Sequence, residues 1–393
     1  MSTIMNQDKT KNNHDINQIL PADNNFGKEL WDELKYLRKR RMGKHARRNM
    51  KRLDSPVATF SKPERLRNKM GLEITLIFRS IACSWARSES GGCTMCGYWN
   101  DRASDDLTQE NLWNQFEKGI SRNEEILENK ENEIVFKMFS SGSFCDTKEF
   151  TKDLQVKIIR KLCEFPTVKE IVIESRPEYV SNEVLSMYQK VISDMNREQG
   201  GENPVYLEVG IGAETYSDFI RQNMINKGFS WKSFVKATNR LHKYGFGCKA
   251  YLLFKPPFVS EYAAMVELKR TLRACLEEDV DTISINPTNI QKNTICDELE
   301  RRHSYRPPWF YSLFKVIKSE ITPKDLKKTR IISDPSAAGK SRGIHNCRPR
   351  DETNDKCVEI LKEFVYTQDL AVIPDNFIND VCWDDYLHEI FLS

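Results

Sequence analysis

Apolar and polar positions along the middle of the chain alternate between two kinds of pattern, short apolar runs and longer segments with helical periodicity. Short apolar runs typical of buried strands lie at 74–78, 134–139, 170–173, 206–211, 249–254 and 282–285. Longer segments with apolar residues at helical spacing lie at 110–120, 148–165, 182–195, 216–225, 231–244 and 261–277. Ser230 stands where a helix N-cap is expected, and Gly245 stands just past a helix end. The alternation predicts an α/β fold with a parallel sheet, although periodicity alone does not separate a partial barrel from a doubly wound sheet.

The flanks of this region have a different character. Residues 1–25 are polar and Asn-rich, which predicts a disordered or loosely attached start. Residues 26–69 pass from scattered apolar positions into a basic run, which predicts a basic helical arm. The strand–helix region is expected over 70–290, and 291–393 is expected to form a C-terminal extension that closes over the sheet. In that extension we expect a loop over 334–351 and a helix over 352–364.

Composition indicates a reduced globular protein. The chain has 393 residues, of which 39% are hydrophobic, and this supports a packed core. No apolar run reaches the length of a membrane span, and the first residues lack a signal-peptide apolar region, so we expect no membrane association. The chain has 11 cysteines, and without a secretory signal these predict a cytoplasmic protein rather than a disulfide scaffold.

Positive charge is concentrated near the N-terminus. The net charge is only +3, yet ten Lys or Arg and no acid lie between Lys35 and Arg52. A charge run is often a solvated helix face, but unbroken positive charge favours a polyanionic partner such as nucleic acid. The candidate nucleic-acid residues are Arg38, Lys39, Arg40, Arg41, Lys44, Arg47, Arg48, Lys51 and Arg52.

Three cysteines follow the first apolar run. Cys83, Cys93 and Cys96 are separated by nine residues and then two, and Gly91 and Gly92 permit a tight fold before the second thiol. A structural zinc site needs four ligands, and no fourth Cys or His lies in this loop. Iron–sulfur clusters also usually have four thiolates, so three would leave one iron with an open position. The alternative is a turn whose thiols are simply buried.

The spacing Cys-x9-Cys-x2-Cys after a first strand resembles the cluster loop of the radical S-adenosylmethionine (SAM) superfamily. Its long first gap is similar to the branch that contains the Elongator catalytic subunit. More closely, the chain resembles the radical-SAM lyase subunit family of archaeosine synthase. The stretches that carry this resemblance are 91–98, 140–144, 174–178, 255–258, 306–309 and 339–343.

The resemblance implies a partial (β/α)6 barrel and a tRNA-modifying activity. Cys83, Cys93 and Cys96 would hold a [4Fe–4S] cluster whose free iron binds SAM, and one electron would then release a 5′-deoxyadenosyl radical. The implied substrate is a 7-deazaguanine base in the tRNA D-arm to which a lysine has been joined. Cleavage of the lysine carbon–nitrogen bond would leave the archaeosine amidine. The implied partners are tRNA, the lysine-transferase subunit of archaeosine synthase and an electron donor.

Residues near the ends of the apolar runs are the candidates for binding SAM and substrate. Glu174 would bind ribose hydroxyls and Arg176 the SAM carboxylate, unless these two side chains simply pair with each other. Lys255 and Asn286 end the fifth and sixth runs and would face the substrate as catalytic residues. The full set of candidate cofactor contacts is Met95, Tyr98, Ser141, Gly142, Ser143, Glu174, Arg176, Gly212 and Glu214.

A second, looser group of possible metal ligands lies near the C-terminus. His345, Cys347 and Cys357 could hold zinc with one further ligand. The other cysteines have no ligand spacing and are expected to be core thiols: Cys145, Cys163, Cys248, Cys275, Cys296 and Cys382. Two alternative functions therefore stay open, another Elongator-like radical-SAM enzyme that modifies tRNA and a non-catalytic protein that binds zinc and RNA.

Overall fold

The computed structural model describes residues 25–40, 50–201 and 205–392. Within them, eight strands form one sheet in chain order, with β1 antiparallel to β2 and every later neighbour parallel. The strands are β1 (Ala58–Arg65), β2 (Met70–Ile77), β3 (Ile134–Phe139), β4 (Val168–Glu174), β5 (Tyr206–Glu214), β6 (Gly247–Phe254), β7 (Thr282–Pro287) and β8 (Arg330–Ile332). The sheet curls into a half-barrel, which confirms the predicted partial-barrel fold.

Helices follow most strands and cover the outside of the sheet. They are α1 (Asn25–Arg40), α2 (Ser84–Arg87), α3 (Gln109–Ser121), α4 (Glu124–Glu128), α5 (Lys152–Cys163), α6 (Asn182–Glu198), α7 (Trp231–Lys243), α8 (Glu261–Glu277), α9 (Ile295–Arg301), α10 (Phe310–Glu320), α11 (Glu352–Thr367) and α12 (Trp383–Leu392). None of the helices in the described residues is long and apolar enough to span a membrane.

Successive side chains on each strand point to opposite faces, and the two faces differ in polarity. The face under the helices is apolar and belongs to the main core, as Leu76, Met138 and Ile173 illustrate. The inner face carries buried charges. Lys137 Nζ lies 2.5 Å from carboxylate oxygens of both Glu64 and Glu73, and these three side chains join β1, β2 and β3.

The six apolar runs correspond to β2–β7, and most of the predicted helices are present. Ser230 caps α7 by accepting a hydrogen bond from the Ser233 N–H, and Gly245 has a φ of +77°. The segment predicted as a helix over 216–225 instead holds a single π-helical turn, Ile220–Met224.

The sheet extends beyond the predicted 70–290 region on both sides, through β1 and β8. The domain boundaries themselves stay predictions. Residues 1–24, expected to be disordered, lie outside the described residues.

Candidate functional site

The cysteine loop starts at the carboxyl end of β2 and is fixed to the neighbouring strand end. The Cys83 N–H donates to the Ser141 carbonyl at 2.8 Å, which ties the loop to the segment after β3. Gly91 and Gly92 have φ values of +71° and +81°, in the left-handed region that favours glycine. A Cβ on Gly92 would lie 2.8 Å from the Ala86 Cα. The two glycines therefore allow the chain to turn tightly ahead of Cys93.

Asn226 holds the loop in place from the far side. Its side-chain amide donates to the Ser90 and Gly92 carbonyls at 3.0 and 2.8 Å. Its side-chain oxygen accepts from Trp31 Nε1 at 2.9 Å, so one buried residue links α1 to the loop. The φ of Asn226 is +56°, a conformation that asparagine tolerates better than most residues.

Three cationic side chains surround the thiols. Arg38 Nη2 donates to the Cys93 carbonyl at 3.3 Å. Burial raises the pKa of Cys93, whereas the charges of Lys227 and Arg176 lower it. Burial and the neighbouring Cys93 raise the pKa of Cys96 to about 11, against the lowering effect of Arg38. The cations offset the charge that three thiolates would bring to this loop, so the side chains fit an anionic thiolate-bound cluster.

The thiols are not arranged around a single ion. In residues 25–40, 50–201 and 205–392, no group of three His, Cys, Asp or Glu side chains converges as the ligands of one metal ion do. In a four-iron cluster each thiolate binds a different iron, so its sulfurs surround the whole cluster rather than one ion. This arrangement is therefore compatible with a four-iron cluster.

The loop after β3 is built around a buried carboxylate. A Cβ on Gly142 would overlap the Glu149 carboxylate, and the Ser143 N–H donates to Glu149 Oε2 at 2.8 Å. Burial raises the pKa of Glu149 to about 7 despite hydrogen bonds from Ser80, Ser143 and Ser140. The Ser141 Oγ lies 2.8 Å from the Ser80 Oγ. Glu149 therefore sets the shape of the loop that carries three predicted SAM contacts.

Glu174 and Arg176 do not pair with each other. Arg176 Nε donates to Glu178 at 2.5 Å, and its Nη1 donates to the Lys227 carbonyl at 3.0 Å. Burial raises the pKa of Glu174 to about 7, and the nearby charges of Lys249 and Lys227 oppose the shift. The alternative in which these two side chains only neutralise each other is therefore wrong, and their predicted contacts with SAM stay predictions.

Gly212 and Glu214 lie at the end of β5, next to a cation. Glu214 Oε1 is 2.5 Å from Lys227 Nζ, and a Cβ on Gly212 would lie 2.6 Å from the same oxygen. The glycine thus leaves room for this ion pair beside the cysteine loop. Met95 packs against Ile290 and its neighbours, and Tyr98 is half-exposed.

Lys255 and Asn286 end adjacent strands but have different surroundings. Lys255 is buried, with its Nζ 2.8 Å from Glu261 Oε2 and 3.3 Å from Glu389 Oε1. It lies in a cavity of about 730 Å³. The Asn286 amide donates to the Ser284 carbonyl at 3.1 Å and is half-buried. The catalytic roles of both residues stay predictions.

The predicted zinc site is not supported. Cys347 forms a disulfide with Cys382, so it offers no thiolate, and the prediction that Cys382 is a free core thiol is wrong. Cys357 is buried, and its Sγ accepts from the Asn346 amide at 3.5 Å. His345 donates from Nδ1 to the Gly343 carbonyl, and burial lowers its pKa to about 4. The spacing of the three residues did not reveal that a distant cysteine pairs with Cys347.

The structure describes only part of the basic run. Arg38 is buried against the cysteine loop, which does not fit its predicted role as a nucleic-acid contact. Lys39, Lys51 and Arg52 are exposed. The Arg40 side chain and the whole of Arg41, Lys44, Arg47 and Arg48 lie outside the described residues.

The sequence did not single out three residues that shape the site. Asn226, Lys227 and Glu149 all sit in segments with no motif spacing. The only signal was local: Asn226-Lys-Gly228 is a turn-like tripeptide directly before a helix cap. Their contacts come from segments distant in the chain, which periodicity cannot bring together.

No family model matches the chain. It is 34% identical to archaeosine synthase subunit beta of Methanosarcina acetivorans over 318 residues, which cover 81% of this chain and 85% of the relative. It is 35% identical to archaeosine synthase subunit beta of Thermococcus kodakarensis over 308 residues, 78% of this chain and 89% of the relative. An uncharacterized protein of Methanocaldococcus jannaschii is 32% identical over 359 residues, which cover 90% of this chain and 92% of that relative.

Similarity to solved structures is more remote. Methanocaldococcus infernus Elp3 matches with a TM-score of 0.44 and 15% identity, over 63% of this chain and 58% of that one. Methylornithine synthase (PylB) matches with a TM-score of 0.41 and 14% identity, over 84% and 80% of the two chains. Identities this low say nothing about function.

Proposed function

Because the chain belongs to the archaeosine synthase subunit beta family, we propose that it is a radical-SAM lyase acting on tRNA. The observation that carries this proposal is the loop of Cys83, Cys93 and Cys96 at the open edge of the half-barrel, with Arg38 and Lys227 close by. The substrate is the lysine adduct of a 7-deazaguanine base in the D-arm. The products are the archaeosine amidine and a lysine-derived fragment.

Within this proposal the three cysteines hold a [4Fe–4S] cluster. When bound, the cluster supplies the electron that cleaves SAM and yields a 5′-deoxyadenosyl radical. The protein fixes the loop through Asn226 and through Arg38 of α1. The buried Leu34 and Leu37 of α1 form a small core with Ile295 of α9. A Cβ on Gly91 would lie 3.2 Å from the Leu34 Cβ, so α1 packs directly against the loop.

The remaining predicted contacts fit around that loop. Glu174 and Gly212 lie near the carboxyl ends of β4 and β5, and the alternation of strand side chains puts both on the inner face. Glu214 follows a shift in the β5–β6 register and has a φ of +62°, and its carboxylate lies beside Gly212. Arg176 follows β4 and is held in place by the Lys227 carbonyl. We propose that Glu174 takes the ribose hydroxyls and Arg176 the carboxylate of SAM.

The carbon–nitrogen bond to be broken joins the lysine side chain to the amidine. We propose that a hydrogen leaves the lysine carbon next to that nitrogen and ends in 5′-deoxyadenosine. The reaction also needs a transferase subunit that makes the adduct and a one-electron donor, and both are proposed as partners.

The first test is anaerobic reconstitution of the full chain with iron and sulfide. We expect about four irons per chain, and 5′-deoxyadenosine after addition of SAM and dithionite. Both should be lost in Cys93→Ala and retained in Cys163→Ala, which removes a buried thiol of α5 far along the chain from the loop. Zinc in place of iron, with no deoxyadenosine, would instead support the non-catalytic alternative.

The second test identifies the substrate. The reconstituted protein is given tRNA whose lysine adduct carries deuterium on the carbon next to the bridging nitrogen. We expect deuterium in the 5′-deoxyadenosine and the archaeosine nucleoside in the digested tRNA. Deoxyadenosine with no change in this tRNA would favour another Elongator-like tRNA modification, and archaeosine with unlabelled deoxyadenosine would contradict abstraction at that carbon.

A further inference from the structure

A cavity beside Lys255 has the charge pattern of a binding site for an amino acid. Its volume is about 730 Å³, within the range of small-molecule pockets. It is enclosed by the segment after β6, the segment after α9, the loop near His345 and the helix α12. Charged groups of both signs line it, which disfavours a purely apolar ligand.

The charges alternate in sign across the cavity. Glu261 Oε2 lies 2.8 Å from Lys255 Nζ, Lys255 Nζ lies 3.3 Å from Glu389 Oε1, and Glu389 Oε2 lies 3.6 Å from Arg306 Nη1. The last two distances exceed the 2.7–2.9 Å of a strong charge-assisted hydrogen bond. An ammonium has three donors, a guanidinium five and a carboxylate about four acceptor sites, so Lys255, Arg306 and Glu389 keep capacity for a ligand group of opposite charge.

The two cations are held rigidly. Arg306 Nη2 donates to the His345 and Asn346 carbonyls at 2.8 and 3.1 Å, and its guanidinium lies 4.0 Å from the Trp309 ring centre. Lys255 is pinned by Glu261, which is fully buried and also accepts from the Trp309 N–H at 3.0 Å. Fixed donors of this kind lose little conformational entropy when they bind a carboxylate.

The carboxylates make a simple anion a poor ligand. Glu261, Glu300 and Glu389 line the cavity against two cations, Lys255 and Arg306. A phosphate would lie close to Glu389, and a plain amine would leave Arg306 unused. A ligand with a carboxylate and an ammonium group on neighbouring atoms satisfies both signs at once, and this is the head group of an α-amino acid.

Tyr305 connects the cavity to the small apolar cluster against which the cysteine loop packs. The Tyr305 hydroxyl donates to the Lys255 carbonyl at 2.6 Å, so this side chain fixes the end of β6. The Tyr305 ring belongs to the same small cluster as Ile290, against which Met95 of the cysteine loop packs. Tyr305 thus lines the cavity and belongs to the cluster that packs against Met95, which puts the cavity on the same side of the sheet as the cysteine loop.

We propose that the cavity binds the amino-acid end of the lysine adduct, with Arg306 and Lys255 holding the α-carboxylate and Glu389 the α-ammonium group. This inference rests on the proposed function for the identity of the ligand. It gives the far end of the lysine a fixed anchor while the carbon–nitrogen bond extends toward the site of hydrogen abstraction.

Calorimetric titration of the reconstituted full chain tests this assignment. The probe is Nε-acetimidoyl-L-lysine, which carries an amidine on the side-chain nitrogen. Two analogues lack one charge each, N-acetimidoylcadaverine without the carboxylate and 6-acetimidamidohexanoate without the α-amino group. We expect the wild type to bind each analogue at least about tenfold more weakly than the probe, because each leaves a charged partner unsatisfied.

The variants assign each charge to its partner. In Arg306→Gln the preference for the probe over the cadaverine analogue should shrink, because only Lys255 then holds the carboxylate. In Glu389→Gln the preference over the hexanoate analogue should disappear. Glu389 is partly exposed, so its variant tests the assignment even where Arg306→Gln does not fold. The matched control is Arg302→Gln, since Arg302 is an exposed arginine four residues away that pairs only loosely with Glu298.

Each outcome of these titrations leads to a different conclusion. No binding of the probe to the wild type, or unchanged preferences in both variants, would overturn the assignment. Deoxyadenosine formation without probe binding would remove the cavity assignment and leave the proposed function standing. Probe binding with the expected preferences, but no deoxyadenosine, would remove the proposed function and leave an amino-acid site.

Discussion

Arg330 joins both halves of the curled sheet across its inner face, and replacing it with methionine should destabilise the fold strongly. Its Nη1 and Nη2 each lie 3.1 Å from a carboxylate oxygen, of Glu170 on β4 and Glu208 on β5 respectively. Nε donates to Thr282 Oγ1 at 3.1 Å, and Nη1 donates to the Arg65 carbonyl at 3.0 Å. A single side chain on β8 therefore contacts four other strands.

The expected loss follows from burial. The side chains of Arg330, Glu170 and Glu208 are 8%, 5% and 0% exposed. Removing one partner of a buried ion pair costs about 3–5 kcal/mol, because the remaining carboxylates keep their charge without compensation. We expect a loss in this range for Arg330→Met, measured from urea unfolding followed by circular dichroism.

Two further variants test the reasoning. Arg197→Met removes an arginine that is 77% exposed and pairs with Asp194 on one helix, so its loss should stay below about 1 kcal/mol. Adding Glu170→Gln and Glu208→Gln to Arg330→Met should recover part of the stability, because the uncompensated charges are then gone. A loss below about 1 kcal/mol for Arg330→Met, or no recovery in the triple variant, would refute this account.

Three other predictions concern the candidate site. Gly142→Ala should destabilise the protein by about 1–3 kcal/mol, because its Cβ would overlap the Glu149 carboxylate; thermal melting measures this. Glu149 has a folded pKa of about 7 against 4.5 in the unfolded chain, so the native state holds its proton to higher pH and loses stability as pH rises between these values. The free energy of unfolding of the uncharged variant Glu149→Gln, relative to that of the wild type, should therefore increase by about 3 kcal/mol between pH 4.5 and pH 7. A difference in this free energy that stays constant with pH, measured by urea unfolding, would contradict the prediction. Asn226→Ala should lower the iron retained after reconstitution, since it removes three hydrogen bonds that hold the cysteine loop; the iron content of Asn223→Ala is the control.

The sequence predicts the strands well because their outer faces are apolar. Each of β2–β7 presents aliphatic or aromatic residues to the helices at every second position, and these runs are visible without alignment. Ala58–Arg65 could not be recognised in this way, because it is an antiparallel edge strand with Pro63 and mostly exposed or half-buried residues. Arg330–Ile332 is only three residues long, too short for any periodicity.

The candidate site is predictable only where its residues are close in sequence. The cysteine loop is recognisable in the sequence from the spacing of its cysteines and from its two glycines. By contrast, Trp31 and Asn226 are 195 residues apart, and Lys255 and Glu389 are 134 apart. Contacts of this kind depend on how the sheet curls and on where α1 and α12 pack. No local pattern encodes that packing, and the wrong zinc prediction for Cys347 has the same cause.

The helix α1 brings the start of the basic run to the cysteine loop. Its buried Arg38 donates to the Cys93 carbonyl, so the described helix ends two residues beyond a direct contact with the loop. At the other described end of the run, the Met50 carbonyl accepts a hydrogen bond from the Ser104 N–H. The adjacent Ala103 N–H donates to the Ser80 carbonyl, beside the loop after β3. Both described ends of the basic run are thus fixed on the side of the barrel that holds the thiols. Phosphate contacts position a nucleic acid without reading its sequence. We therefore expect the exposed Lys39, Lys51 and Arg52 to contact phosphates of the tRNA in the proposed reaction.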